Sequence, residues 1–84
     1  MNAIKYSPKA VRQLKKIQRE DALKIRDACR TLAEMPEVRH VKALVNHEYQ
    51  YRFRVGGYRV FFDFDGAVKI VYIEEVKKRD ENTY

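Results

Sequence analysis

Three arginines define the chemistry most open to this chain. Arg52, Arg54 and Arg59 flank a glycine pair in the run Tyr51-Arg52-Phe53-Arg54-Val55-Gly56-Gly57-Tyr58-Arg59-Val60. A guanidinium is a planar fork of donors that keeps its proton at any ordinary pH and matches the oxygens of a phosphate. Arginines set among aromatic rings suit single-stranded RNA, whose bases stack while its phosphates pair. Arginine accepts protons poorly, so a reaction that needs a base must find it elsewhere. His47, Glu74 and Glu75 are the candidates by residue type. A loop histidine is more often plain polar surface, and a glutamate beside arginines more often balances their charge. The chain has one cysteine, Cys29, which excludes an internal disulfide and a cysteine-based metal centre.

The arginines need a strand pair to hold them. Tyr49, Tyr51, Phe53 and Val55 alternate with Gln50, Arg52 and Arg54, which is the period of a half-buried strand. Gly56-Gly57 and, later, Asp65-Gly66 are two-residue hairpin signals. A two-residue loop at Gly56-Gly57 sets Val55 against Tyr58, Phe53 against Val60, Tyr51 against Phe62 and Tyr49 against Phe64. All of these pairs are apolar or aromatic, so that face must meet the rest of the fold. The other face then carries Arg54 opposite Arg59, Arg52 opposite Phe61 and Gln50 opposite Asp63. Like charges directly across a ladder repel, and a bound anion reverses the sign. The same reading at Asp65-Gly66 sets Arg59 against Tyr72 and Phe61 against Ile70, which brings Tyr72 beside the basic pair over an apolar floor. It also puts Lys69 on the helix-facing side, as the one awkward residue.

Two helices precede these strands. Ile4 and Tyr6 suit a short first strand. Ser7-Pro8 starts a helix with a capping hydroxyl and a proline whose missing N–H does no harm there. Val11, Leu14 and Ile17 recur at helical spacing. A second helix is expected from about Glu20 to Met35, with Ala22, Ile25, Cys29 and Leu32 as its apolar stripe and Pro36 as its stop. Residues 36–47 read as irregular. The expected fold is α+β, with two N-terminal helices on one face of a small, mainly antiparallel sheet in the order β-α-α-β-β-β.

The whole chain, residues 1–84, reads as one domain, and its 45% hydrophobic content is too high for a disordered segment. The net charge of +6 favours polyanions, although a solvated basic surface is the plain alternative. The basic helices read more readily as a solvated layer than as a nucleic-acid site. No apolar run approaches the ~18 residues of a membrane span. Met1 to Tyr6 contain no apolar signal-peptide core, so a cytoplasmic protein is expected. The tail from Lys77 to Tyr84 reads as a solvated end, yet it is short enough to fold back beside the arginine face and add Lys77 and Lys78 to it.

At this point the chain resembles the RelE/ParE toxin superfamily. The likeness rests on the first strand followed by Ser-Pro and two basic helices, on Lys42 before the sheet, on the Tyr51–Val60 hairpin run, and on an arginine several residues before the terminal Tyr84. The resemblance implies a toxin neutralised by a cognate antitoxin. RelE-like members cut messenger RNA in the ribosomal A site by attack of a 2′-hydroxyl on the adjacent phosphate, whereas ParE-like members inhibit DNA gyrase. It implies catalytic roles for Arg52, Arg59, Arg79 and Tyr84, with Arg59 on the phosphate, Arg52 binding phosphate or helping to activate the nucleophile, and Tyr84 orienting or stacking on substrate. Lys42, Arg54, Tyr72, Lys77 and Lys78 would bind RNA. No metal or cofactor is implied. Gln50 stands where some relatives have a lysine, and the tail has no histidine, so the likeness names no general base. A ribosome-dependent endoribonuclease is the leading expectation, with a gyrase inhibitor and a non-catalytic RNA-binding module as alternatives.

Overall fold

The computed structural model describes residues 1–79. Strand β1 (Ala3–Tyr6) leads into helices α1 (Pro8–Lys16) and α2 (Arg19–Cys29), then a 3-10 turn (Arg30–Glu34). Strands β2 (Val41–Ala43), β3 (Tyr51–Val55), β4 (Tyr58–Asp65) and β5 (Ile70–Lys78) follow. They form one five-stranded sheet in the order β1-β5-β4-β3-β2. Only the β1–β5 pairing is parallel. The α+β architecture with two helices on one sheet face is therefore as expected, with β2 as an added edge strand in the stretch read as irregular. No helix is long and apolar enough to cross a membrane among the described residues.

The helices and one sheet face share a core. Ala10, Leu14, Ile25, Cys29 and Leu32 pack against Phe53, Val60, Phe62, Val71, Ile73 and Val76. Val11 faces out instead, and Ala10 with Leu14 makes the buried stripe of α1. Ser7 fixes where α1 begins. Its hydroxyl accepts from the Ala10 N–H at 3.0 Å and donates to the Glu74 carbonyl of β5 at 2.8 Å. Farther along, the Gln13 side-chain oxygen accepts from the Val76 N–H at 2.7 Å. Helix α1 thus covers the edge of β5 beyond the point where β1 stops pairing, and supplies partners for backbone groups that would otherwise form an open edge. Ser7→Ala removes both a helix cap and a sheet tether. It is expected to destabilise the fold by about 1–2 kcal/mol, read from a lower urea midpoint at unchanged slope.

The second helix is shorter than its apolar stripe suggested. It tightens into the 3-10 turn after Cys29. Asn2 holds the end of that turn: its buried side-chain amide donates to the carbonyls of Ala33 at 3.0 Å and Met35 at 3.1 Å, and its backbone N–H also reaches Ala33. The carbonyls of the last turn are thus held by the start of the chain.

The β3–β4 register is the one read from Gly56-Gly57. Val55 pairs with Tyr58, Arg54 with Arg59, Phe53 with Val60, Arg52 with Phe61 and Tyr51 with Phe62. Gly56 adopts a φ of 54°, the left-handed geometry such a turn needs. The expected pairing of Tyr49 with Phe64 does not form. Gln50 donates its N–H to the Asp63 carboxylate and accepts the Phe64 N–H on its side-chain oxygen, both at 2.8 Å. Those side-chain bonds replace the ladder, β3 begins at Tyr51, and Tyr49 turns to the other face.

The second hairpin departs from its expected register. Asp65 pairs with Ile70 across a longer turn, residues 66–69. The Asp65 carboxylate takes the N–H groups of Ala67 at 2.9 Å and Val68 at 3.2 Å, which builds the turn around the aspartate rather than around Asp-Gly. Lys69 lies exposed in that turn with φ 57°, not on the helix-facing side. A bulge then shifts the ladder between Phe61 and Phe62. In consequence Arg59 faces Lys77 rather than Tyr72, and Phe61 faces Glu75 rather than Ile70.

Candidate nucleic-acid interface

Register parity decides which side chains share the face turned away from the helices. Phe53, Val60 and Phe62 belong to the helix-facing core, so Arg52, Arg54, Arg59 and Phe61 point the other way. Lys42 pairs with Arg52 and joins that face from β2. Lys77 pairs with Arg59 and joins it from β5. The cations thus run across the sheet: Lys42 beside Arg52, and Arg54, Arg59 and Lys77 in a row over three adjacent strands. Lys42, Arg52, Arg54 and Arg59 make no ion pair among the described residues. Adjacent like charges repel, so this row is disfavoured until an anion lies on it.

Arg79 continues past β5. Its N–H donates to the Gly57 carbonyl at 2.7 Å, and it lines an open cleft with Arg54, Gly56 and His40. Two residues assigned to RNA from the sequence are placed otherwise. Lys78 pairs with Tyr58, whose ring packs toward the helices, so Lys78 falls on the opposite side of the sheet. Tyr72 shares the arginine face but pairs with Asp63, at the far end from Arg59. The longer turn at residues 66–69 slid Tyr72 along the ladder without changing its face, whereas the bulge turned Lys78, because one extra residue reverses parity beyond it. Tyr84 lies outside the described residues.

The same bulge brings two consecutive glutamates to this face. Glu75 stands opposite Phe61, nearly buried, with Lys9 Nζ at 3.1 Å and Lys77 Nζ at 3.8 Å. Lys9 reaches it from the first turn of α1, and the Glu75 hydrogen bond and charge raise the lysine's pKa. Glu74 lies against Asp63 of β4. Burial first, then the charge and hydrogen bond of Asp63, then the charge of Glu48, raise the Glu74 carboxyl above its usual value. The face is therefore polar in the electrical sense, with cations toward the β3–β4 turn and carboxylates toward the β4–β5 turn.

An aromatic cluster lies between the two ends. Phe61 is buried although it faces away from the core, because residues 47–49 fold over it. The His47 ring is nearly parallel to that of Phe61, with centroids 5.3 Å apart and an interplanar angle of 8°. Tyr49 tilts against the same ring at 5.9 Å. Burial, then the charges of Glu75 and Glu48, raise the Tyr49 hydroxyl. Sequence reasoning passed over Lys9, treated Glu75 only by residue type, and set Tyr49 on the wrong face. The paired side-chain bonds of Gln50 and Asp63 were the missing signal for Tyr49. For Lys9 the residue pattern carries no signal, since nothing in it tells that α1 runs along β5.

A sequence model described as the ParE toxin of the type II toxin–antitoxin system parDE matches residues 4–83. The chain belongs to the RelE/ParE toxin superfamily. The toxin shares its fold with solved relatives. It matches a chain of the RelBE2 toxin–antitoxin complex from Mycobacterium tuberculosis at 21% identity and a TM-score of 0.79, over 93% of the toxin and 98% of that chain. It matches a chain of the archaeal RelE–RelB complex from Pyrococcus horikoshii OT3 at 22% identity and 0.79, over 95% and 97%. It matches isolated E. coli RelE at 14% identity and 0.80, over 99% and 89%. No curated protein matches the toxin in sequence.

The raised Glu74 carboxyl has a stability consequence. At neutral pH an ionised Glu74 beside Asp63 is unfavourable in the folded state, and the penalty is relieved as pH falls through the raised pKa. Glu74→Gln is therefore expected to stabilise the toxin modestly at pH 7. The gain should shrink in acid, once the native glutamate is protonated as well. Urea unfolding of both proteins at neutral and acidic pH checks the sign.

Proposed function

We propose that this type II toxin is a ribosome-dependent endoribonuclease acting on messenger RNA in the A site. The observation that carries the reading is the row of cations on the outer sheet face, with Arg52, Arg54 and Arg59 lacking acidic partners among the described residues. Arg59 lies at the centre of that row, between Arg54 and Lys77, where the charge of a five-coordinate phosphate is best balanced. Arg52 and Lys42 hold the neighbouring phosphate or the 2′-hydroxyl's strand, and Arg54 and Arg79 hold the backbone beyond. In the step, the 2′-oxygen bonds to phosphorus, the P–O5′ bond breaks, a proton leaves the 2′-hydroxyl and another reaches the departing 5′-oxygen. Glu75 is the proton acceptor set closest in register to the row, across from Phe61 and two positions from Lys77. Lys77 and Lys9 hold its carboxylate in place.

The test is induction in cells followed by mapping of mRNA 5′ ends against reading frame. Cuts inside codons of translated messages support the nuclease; uncut messages in growth-arrested cells end it. The matching sequence model bears the ParE name, which favours gyrase inhibition as the second reading. DNA cleavage complexes with translation intact would select it.

An antitoxin partner accompanies either reading, and several of the fold relatives are described as toxin–antitoxin complexes. The trough between α1 and α2 has the chemistry for an acidic amphipathic segment: Val11, Ile17 and Leu23 along its apolar wall, with Lys15, Arg19 and Arg26 at the rim. Leu23 is 48% exposed, so Leu23→Glu should leave the fold intact. It is expected to weaken antitoxin capture at least ~10-fold, from a lost apolar contact and a new like charge. Co-purification with the antitoxin reads the effect.

A further inference from the structure

We infer that His47, laid flat on Phe61, is a stacking platform for a nucleobase of single-stranded RNA and favours a purine there. The inference rests on the RNA reading above and extends it to the base. His47 lies between β2 and β3 in an irregular stretch and is exposed, yet its ring is fixed on two sides. Phe61 lies beneath it with the two planes 8° apart. The Tyr49 N–H donates to His47 Nδ1 at 3.0 Å. One face of the imidazole is used by Phe61, the Tyr49 ring is tilted beside it at 45° with centroids 5.9 Å apart, and the residue as a whole stays exposed. A ring already held in place loses little freedom when a base lands on it.

Its position matches the phosphate row. Phe61 pairs directly with Arg52, so the column that carries the ring stack and the column that carries the guanidinium are one strand spacing apart, ~4.8 Å. Lys42 continues the Arg52 column outward. A nucleotide whose phosphate sits on Arg52 can therefore place its base over His47. Simple cover for Phe61 would need only an apolar side chain. A parallel aromatic ring offers a π-face as well, and the larger ring system of a purine overlaps it more fully than a pyrimidine does.

The test separates ring, cover and proton chemistry. Full-length toxin is titrated with a short 2′-O-methyl oligoribonucleotide, which cannot be cut, carrying 2-aminopurine. Wild type is expected to quench the probe and to bind an adenine-rich oligomer more tightly than a uracil-rich one. His47→Leu keeps Phe61 covered but presents no ring. It should bind the probe roughly 10-fold more weakly, lose the quench and lose the purine preference. His47→Phe keeps the ring without its nitrogens and should retain all of them. Absence of quenching by wild type, quenching by His47→Leu equal to wild type, or failure of His47→Phe would each overturn the platform. Ribosome-dependent cutting is scored separately. A toxin that quenches in a His47-dependent way but cuts no message would sink the nuclease reading and leave the platform standing; the reverse pattern would sink the platform alone.

Discussion

Arg59→Ala is expected to lower A-site cleavage by roughly 10²–10³-fold and to abolish growth arrest, with the fold unchanged. Arg59 lies in the middle of the basic row, opposite Arg54 on one side and Lys77 on the other. Its guanidinium has no acidic partner among the described residues, so no ion pair is broken by removing it. The substitution also relieves the repulsion with Arg54, so the unfolding midpoint should stay level or rise slightly. Loss of activity together with preserved stability is the signature expected of a group that binds the reacting phosphate. Loss of both would mark Arg59 as a structural residue. Arg59→Lys should recover only part of the rate, because an ammonium keeps the charge and loses the two-pronged geometry.

The second large effect is expected at Glu75. Glu75→Gln keeps the shape but removes the proton acceptor, and cleavage should fall by roughly 10²-fold or more. Lys9 and Lys77 are both largely exposed, at 51% and 60%, so losing their shared partner leaves no charge stranded in the interior. The rate against pH discriminates the roles. A base that must be ionised gives a rate that falls toward acid, and Glu75→Gln should flatten that limb. If the substitution lowers RNA binding and leaves the pH profile unchanged, Glu75 acts by holding the lysines in place. Glu74→Gln is the natural control: its carboxyl faces Asp63, away from the cations, and the rate should hardly change.

How much of this was legible in the residues depends on what closed each turn. The Gly56-Gly57 hairpin was, because a positive φ at Gly56 and the apolar pairs from Val55–Tyr58 to Tyr51–Phe62 all demand one register. That register set Arg54 beside Arg59. The Asp65 turn was not, since a side chain, rather than the backbone geometry of Asp-Gly, captures the amides of Ala67 and Val68. The longer turn displaced Tyr72, and the bulge opposite Phe61, likewise invisible, turned Lys78 to the other side while bringing Glu74 and Glu75 to one face. Residues that reach the site from outside the sheet's alternation, Lys9 from α1 and His47 from the loop, depend on packing that no periodicity encodes. Lys42 entered through resemblance alone, and the pairing of β2 with β3 places it directly across from Arg52.

The most direct measurement uses purified toxin and ribosomes programmed with a defined A-site codon, followed by analysis of the message's new ends. If the cation row grips a phosphate under attack, one cut falls inside that codon and leaves a 2′,3′-cyclic phosphate and a 5′-hydroxyl. Replacing the attacking nucleotide by its 2′-deoxy analogue then abolishes the cut. A message that stays intact in the presence of folded toxin, or one that is cut just as well without the 2′-hydroxyl, would contradict the account.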